Sequence, residues 1–215
     1  MTLGAGRKTI LTDMQVNVMT TPIYYVKTEG LPDTFSITNY RPEGADAPKT
    51  QGWVRYIPGT GLEVTMRCYE TDPRAVYREP DAPVFNDSCM EVFLNCFPEL
   101  PEYGYINVEM NAAGFARCAF GKDRATRRKL LEMGIPQPRV EVIQNADHWQ
   151  VQCLLSEGLL ETLYERPCHF APGHEMRGNF YKCAEEVQPP HWASWAKVER
   201  LDFHTPEYFG VLRIV

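Results

Sequence analysis

Three segments of the chain alternate between apolar and polar residues, which is the period of a strand with one buried face. They run over residues 62–69, 90–96 and 106–111. In the first of them Leu62, Val64, Met66 and Cys68 occupy the apolar positions. Successive side chains of a strand point to opposite faces, so each segment buries one face and leaves the other polar. The sequence therefore favours a fold built on strands.

Shorter segments with turn residues between them extend this pattern. We predict further strands at 23–27, 35–40, 53–57, 115–120, 140–143, 149–155, 178–183 and 211–215. Two short helices are predicted, one over 123–133 capped by Asp123 and one over 156–164 capped by Ser156. Many short strands and few helices are typical of an all-β fold, an antiparallel β-sandwich or jelly-roll-like domain. A chain of 215 residues fits one such domain, spanning 1–215.

The composition limits the kinds of partner that this protein can bind and the cellular compartment in which we expect it. The net charge of -6 argues against a nucleic-acid binder, and we interpret the basic cluster Arg124, Arg127, Arg128 and Lys129 as a solvated helix face. No apolar run is long enough to span a membrane, and residues 1–13 lack the apolar core of a secretion signal. Seven irregularly spaced cysteines indicate reduced, buried thiols. We expect a cytoplasmic protein, or a secreted one if a leader has been removed; the sequence leaves its oligomeric state unknown.

Several strand positions carry unusual polar residues on the face opposite the predicted core. They are Arg67, Glu91, Asn107, Glu109, Arg177 and Asn179. Glu and Asn are poor strand formers, so their presence favours a function over an ordinary wet surface. If these strands neighbour one another in one sheet, the six side chains share a surface. Arg and carboxylate groups there can each engage two adjacent hydroxyls, which is chemistry suited to a sugar.

Aromatic residues in the flanking loops complement this polar set. Phe85 precedes one of the alternating strands, and Trp192 follows Pro189-Pro190-His191 in a C-terminal third rich in rings. A flat ring packs against the C–H face of a sugar while polar groups take its hydroxyls. We expect Trp192 to be exposed and Trp195 to be buried. Rings and polar residues together predict a binding site for a mono- or oligosaccharide.

The segment Phe85-Asn86-Asp87-Ser88-Cys89-Met90-Glu91-Val92-Phe93-Leu94 resembles a signature of carbohydrate-binding modules of family 9. Residues 105–114 resemble the next strand and turn, and 179–183, 191–192 and 203–210 resemble a bacterial, stand-alone subgroup. The resemblance covers roughly residues 60–215 and implies a β-sandwich that binds sugars without cleaving them. It implies that Phe85 and Trp192 clamp the sugar and that Glu91 binds its hydroxyls. Glu109 departs from the family, whose better-studied members have a basic residue near this position.

Other functions stay open at this point. Glu91 and Glu109 form a candidate acid/base pair for a glycan hydrolase, since such enzymes use two carboxylates, although no other feature favours an enzyme. Met66, Met110 and His204 are candidate haem ligands, and Cys168, His169, His174 and Glu175 are candidate zinc ligands. A protein-interaction domain is a further alternative. We predict no cofactor, except that structural calcium occurs in some members of the family.

Overall fold

Two packed β-sheets and one α-helix make up the part of the chain that the structure describes. The structure is a computed structural model and describes residues 20–200 and 202–215. The N-terminal stretch that bears on a secretion signal lies outside these residues. No helix within them is long and apolar enough to cross a membrane. The predicted all-β sandwich is confirmed.

The strands are short and follow one another closely. In chain order they are β1 (Ile23–Val26), β2 (Phe35–Ile37), β3 (Asn39–Tyr40), β4 (Thr50–Ile57), β5 (Gly61–Cys68), β6 (Cys89–Asn95), β7 (Tyr105–Asn111), β8 (Ala116–Gly121), β9 (Arg128–Lys129), β10 (Arg139–Gln144), β11 (Trp149–Ser156), β12 (Glu175–Ala184), β13 (His191–Ser194) and β14 (Gly210–Ile214). Helix α1 spans Glu157–Tyr164, and short 3-10 helices span Val84–Asn86, Leu131–Met133 and Pro206–Tyr208. Most predicted strands are present, and β13 is an addition to them.

The larger sheet has the strand order β1-β14-β12-β6-β7-β8-β9, with β13 against β12 and β3 against β13. The smaller sheet has the order β10-β11-β5-β4-β2. Neighbouring strands are antiparallel except β1 and β14, which run parallel. The centre of the larger sheet is therefore β12, β6 and β7, and these strands carry the site described below.

The apolar faces of the two sheets pack against each other and form the core. Val64 and Met66 on β5 and Val92 and Val108 on β6 and β7 are at most 1% exposed. Burial of such side chains contributes roughly 1.5–3 kcal/mol each, so the core fixes which face of each strand points inward. The alternate residues of β6, β7 and β12 then point to the outer face of the larger sheet.

The predicted helix over 123–133 is wrong. Asp123 does cap a turn, because its Oδ1 accepts hydrogen bonds from the backbone N–H groups of Ala125 (2.9 Å) and Thr126 (2.8 Å). The chain then pairs with β8 as β9 instead of continuing as a helix. Close packing reinforces this path, since a Cβ on Gly121 would lie 2.5 Å from the Cα of Arg127. Sheet pairing thus overrides helix propensity here and brings Arg127 to the outer face.

The second predicted helix is present as α1. Its cap is Ser156, whose Oγ accepts a hydrogen bond from the backbone N–H of Leu159 at 3.2 Å. Leu160 and Leu163 on this helix are buried against the core. A local cap and a tertiary contact agree here, which is why the sequence pattern predicts this helix correctly.

Candidate functional site

A pocket of about 340 Å³ opens on the outer face of the larger sheet. Its floor comes from the three central strands, with Glu91 on β6, Glu109 on β7 and Cys183 on β12. Glu91 lies directly opposite Glu109 across the β6–β7 pairing. Cys183 on β12 lies opposite Cys89 on β6. Cys89 and Glu91 are two residues apart on β6, so their side chains point to the same outer face. The floor therefore combines two carboxylates and one thiol, with the thiol of Cys89 buried next to that of Cys183.

Glu91 is a buried carboxylate with little support for a negative charge. It is 4% exposed, and its Oε1 accepts a hydrogen bond from the thiol of Cys183 at 2.9 Å. A thiol is a weak donor. Burial first, and then repulsion from Glu109, raise the pKa of Glu91 to about 8. At neutral pH Glu91 is therefore mainly a protonated acid that can both donate and accept hydrogen bonds.

Glu109 is hydrogen-bonded at one carboxylate oxygen and has no hydrogen-bond partner at the other. Its Oε1 accepts a hydrogen bond from Asn107 Nδ2 at 3.0 Å and lies 3.5 Å from Arg127 Nη1, which also donates to Asn107 Oδ1 at 2.9 Å. Its Oε2 is buried without a hydrogen-bond partner, and Arg117 Nε is 3.9 Å away. Burial raises the pKa of Glu109, and Arg127 opposes that rise. An unpaired buried acceptor costs about 1–3 kcal/mol, so Oε2 is suited to a ligand's hydrogen-bond donor.

Trp192 on β13 forms part of the pocket wall and is half-buried. Its Nε1 donates a hydrogen bond to Glu185 Oε1 at 3.4 Å. Behind it, a Cβ on Gly44 would lie 3.0 Å from the ring, so the absence of a side chain there makes room for the indole. Trp195 is also half-buried but packs on the core, where it contacts the ring of Phe180 at 5.6 Å. The two tryptophans therefore differ less in exposure than predicted. They differ in what they contact, since Trp192 lines the pocket and Trp195 packs on the core.

Two further rings line the pocket. Phe85 belongs to the 3-10 helix before β6, and the guanidinium of Arg117 lies 5.8 Å from its ring centroid. Phe203 precedes β14 and stacks on Tyr181, with centroids 4.0 Å apart and planes inclined by 13°. The pocket therefore offers three aromatic side chains, of which the sequence analysis selected Phe85 and Trp192.

The segment that carries Phe203 is anchored by polar contacts. Arg124 and Asp202 form an ion pair at 2.9 Å, and Asp202 Oδ1 accepts a hydrogen bond from the backbone N–H of His204 at 2.9 Å. The Nδ1 of His204 is 2.8 Å from the hydroxyl of Tyr105. Burial, followed by the charges of Arg127 and Arg124, lowers the pKa of His204 to about 3. His204 therefore lines the pocket as a neutral imidazole.

Sequence reasoning missed several residues that line this pocket. They are Arg124, Arg127, Cys183, Glu185, Asp202, Phe203 and His204. The interpretation of the basic cluster as a solvated helix face is wrong for Arg127, which reaches Asn107 and Glu109. The available signal was the ring-rich run at 203–209, which identified an aromatic element without showing which side chain faces the site.

Four predicted site residues do not line the pocket: Arg67, Asn107, Arg177 and Asn179. Arg67 lies on β5 in the smaller sheet, where its Nη2 donates to Gln150 Oε1 at 3.0 Å. Arg177 is exposed on β12, and Asn179 is buried with its amide bonded to the backbone of Ala196 at 2.9 Å in both directions. The expectation of one surface shared by all six polar residues is therefore wrong. Alternation predicts which residues of a strand point to the same face. It does not predict which sheet the strand joins or how far along the strand a residue lies from the site.

The candidate haem ligands do not converge. Met66 and Met110 are fully buried between the sheets, whereas His204 lies on the outer face of the larger sheet. An axial pair must hold one iron atom from facing directions. The haem hypothesis is therefore wrong for these residues.

The candidate zinc ligands over 168–175 are also separated. His169 Nδ1 lies 3.0 Å from Glu157 Oε2, and His174 Nε2 lies 2.8 Å from the carbonyl oxygen of Cys96. Glu175 pairs with Arg213 on the neighbouring strand. These side chains have individual partners in different directions, so the zinc hypothesis is wrong for this loop.

A different group brings possible metal ligands together. Over 20–200 and 202–215, the one group of three or more His, Cys, Asp or Glu ligand atoms lying within 4.8 Å of one another is Cys89, Glu91 and Cys183. It lacks the six to eight oxygens that calcium takes. The buried carboxylate of Asp87 is instead neutralised by an ion pair with Arg74. The described residues thus offer no carboxylate-rich cluster for calcium.

The sequence profile of carbohydrate-binding family 9 matches residues 58–214. No curated protein sequence matches the chain. A presumptive carbohydrate-binding protein from Bacteroides uniformis superposes with a TM-score of 0.74 at 19% identity, covering 91% of this chain and 100% of that one.

Two solved structures of a family 9 carbohydrate-binding module from Caldicellulosiruptor kristjanssonii are also similar. The complex with cellotriose has a TM-score of 0.66 at 10% identity and covers 90% of this chain and 93% of that chain. The complex with glucose has the same score and identity and covers 90% and 96%. At these identities the superpositions show a shared fold.

Proposed function

The chain belongs to carbohydrate-binding family 9, and from that premise we propose that it binds a mono- or short oligosaccharide without cleaving it, in the pocket on the larger sheet. The observation that carries the assignment to this pocket is the meeting of three rings with an unpaired buried acceptor, Glu109 Oε2. The volume of about 340 Å³ is near the lower end of the roughly 300–1,000 Å³ typical of small-molecule sites. One or two sugar residues are therefore the proposed occupant.

Each group at the pocket has a proposed part in recognition. Phe85, Trp192 and Phe203 supply apolar faces for the C–H groups of the sugar. Glu91, Glu109 and Arg127 bind its hydroxyls, and the charged groups fix its orientation because they form the stronger hydrogen bonds. Asn107 does not reach the ligand; it positions Arg127 and Glu109 through hydrogen bonds to both.

Isothermal titration calorimetry against glucose, cellobiose and a panel of other saccharides tests this proposal. Trp192→Ala should weaken binding about tenfold, since a ring contact is worth roughly 0.5–1.5 kcal/mol beyond the apolar area it buries and about 1.4 kcal/mol is tenfold in Kd. Trp53→Ala is the matched control, because Trp53 is a half-buried tryptophan on β4 in the other sheet. Absence of binding across the panel, or an equal loss in both variants, would contradict the proposal.

The hydrolase alternative is tested on the same samples. Oligosaccharides incubated with the protein should be recovered intact by chromatography. Release of shorter sugars that stops in Glu91→Gln would assign catalysis to the carboxylate pair and overturn the non-cleaving part of the proposal.

We further propose that the protein works in a reducing compartment. All seven cysteines are free and buried, which suits a cytoplasm better than a disulfide-forming environment. Immunoblotting of cell fractions with an antibody against this chain tests the location, and recovery in an extracellular fraction would contradict it.

A further inference from the structure

Two thiols that saccharide binding does not use lie at the pocket floor, Cys183 lining it and Cys89 buried beside Cys183. Cys89 on β6 and Cys183 on β12 lie opposite each other, and Glu91 follows Cys89 by two residues on the same face. The two Sγ atoms and a carboxylate oxygen of Glu91 all lie within 4.8 Å of one another. We propose that Cys89, Cys183 and Glu91 bind a thiophilic divalent cation, zinc in preference to magnesium or calcium.

The spacing of the three ligand atoms is close to what a single ion requires. Zinc binds thiolate sulfur at about 2.3 Å and carboxylate oxygen at about 2.0–2.2 Å, so ligand atoms around a tetrahedral ion are roughly 3.5–4 Å apart. Cys183 Sγ is 2.9 Å from Glu91 Oε1, and no pair exceeds 4.8 Å. Adjustments of about 1 Å or less therefore suffice. Two thiolates select zinc over the hard cations, which prefer oxygen ligands.

The position of the cluster allows an ion to enter and to exchange. Cys183 and Glu91 both line the pocket while being only 1% and 4% exposed, so an ion that enters the pocket reaches the cluster after small side-chain movements. Three protein ligands leave a tetrahedral ion one open position, which is the arrangement of exchangeable zinc sites; structural sites have four protein ligands.

Binding must displace protons from the ligands. Burial raises the pKa of the Cys89 thiol, and the contact with Cys89 together with burial raises that of Cys183. The charged groups that act on the cluster from neighbouring positions are Glu109, Arg127, Glu185 and Lys182.

The experiment uses the full chain, reduced and freed of metal with a chelator, and is carried out without saccharide. Cobalt(II) is the probe because cobalt bound to thiolates absorbs in the near ultraviolet, and zinc is then added to displace it. We expect one cobalt per chain, with an absorption intensity equal to two thiolates and loss of the absorption when zinc is added. This measurement needs no variant, so it stays decisive even where a substitution disturbs folding.

Variants locate the site. Cys89→Ala and Cys183→Ala should each weaken cobalt binding by about 100-fold, since even groups that only support a metal ligand are worth roughly 10- to 100-fold. Glu91→Gln should weaken binding while keeping the thiolate absorption. Cys153→Ala is the matched control, because Cys153 is a buried thiol on β11 in the smaller sheet. Folding of each variant is checked by circular dichroism.

The outcomes separate this proposal from saccharide binding. No thiolate–cobalt absorption in the reduced wild type, or an equal loss in Cys153→Ala, would overturn the metal site whatever the sugar titrations give. Saccharide titrations repeated with chelator present test the sugar site alone. Cobalt binding without any sugar binding would support the metal site and contradict the proposed function.

Discussion

Glu91→Gln should remove a large part of the pH dependence of stability in this protein. In the folded chain, burial and repulsion from Glu109 raise the pKa of Glu91 to about 8 from an ordinary value of 4.5. Below that ordinary value both the folded and the unfolded chain bind the proton, and Glu91 imposes no penalty. As the pH rises, the unfolded chain loses the proton first, so the free energy of unfolding falls until folded Glu91 also ionises near pH 8.

The magnitude follows from the difference between the two pKa values. One pKa unit corresponds to 1.36 kcal/mol, so the full difference lowers the free energy of unfolding by about 3–5 kcal/mol at pH 8. Gln keeps the shape of the side chain and carries no charge at any pH. The variant should therefore gain stability relative to the wild type as the pH rises, by the same amount.

Urea unfolding followed by tryptophan fluorescence measures this difference, from about pH 5 to pH 8.5, with chelator present to exclude bound metal. The quantity of interest is the variant minus the wild type at each pH, because titrating groups that do not interact with Glu91 cancel in it, whereas the repulsion between Glu91 and Glu109 is part of the measured difference. Glu141→Gln is the control, since the side chain of Glu141 on β10 is 51% exposed. A difference that stays constant within about 1 kcal/mol across the range would refute the reasoning.

Three further changes test separate parts of the structure. Gly44→Ala should weaken saccharide binding in calorimetry, because its Cβ would lie 2.6 Å from the carbonyl oxygen of Pro190 and 3.0 Å from the ring of Trp192, so the loop that carries Trp192 must shift; unchanged affinity would contradict this effect. Arg127→Met should lower the free energy of unfolding by about 3 kcal/mol near neutral pH, and by less in acid as Glu109 takes up a proton. Urea unfolding that shows no loss of stability in this variant would disprove the pairing of Arg127 with Glu109. Ser156→Ala should lower stability by about 1 kcal/mol through loss of the helix cap, and thermal unfolding at the wild-type midpoint would argue against it.

Alternation predicted the strands of the core correctly because one face of each strand is buried. Val64, Val92 and Val108 point inward as their spacing indicates, and they meet between the sheets. The helix over 123–133 was wrong because the cap at Asp123 is local, while pairing with β8 is a tertiary interaction that the local pattern does not contain. Local sequence patterns alone therefore predict which face of a strand is buried better than they predict which strands pair.

The same limit explains which site residues could be foreseen. Glu91 and Glu109 lie on consecutive, directly paired strands, so their meeting on one face follows from a hairpin register. Arg67 also alternates correctly, but its strand belongs to the other sheet. Arg127 and His204 come from irregular segments, where no periodicity shows the direction of a side chain. Their roles, like that of Trp192, stay predictions until binding is measured.

Two buried carboxylates on the side of the larger sheet that carries the pocket, those of Asp87 and Glu109, differ in their hydrogen-bond partners. This difference indicates that the pocket binds a ligand. Asp87 is fully buried and has an ion pair with Arg74 and hydrogen bonds from Tyr77 N and Asn111 Nδ2, each 2.9 Å long. Buried polar groups of a stable fold are normally satisfied in this way. Glu109 Oε2 has no such partner. Asp87 thus has partners for its carboxylate oxygens, whereas Glu109 has an oxygen without one. Stability alone does not account for this unpaired oxygen of Glu109. A saccharide hydroxyl that enters the pocket would supply the missing partner, and the calorimetric titrations test this; the proposed metal site uses Glu91 and the two cysteines and does not include Glu109.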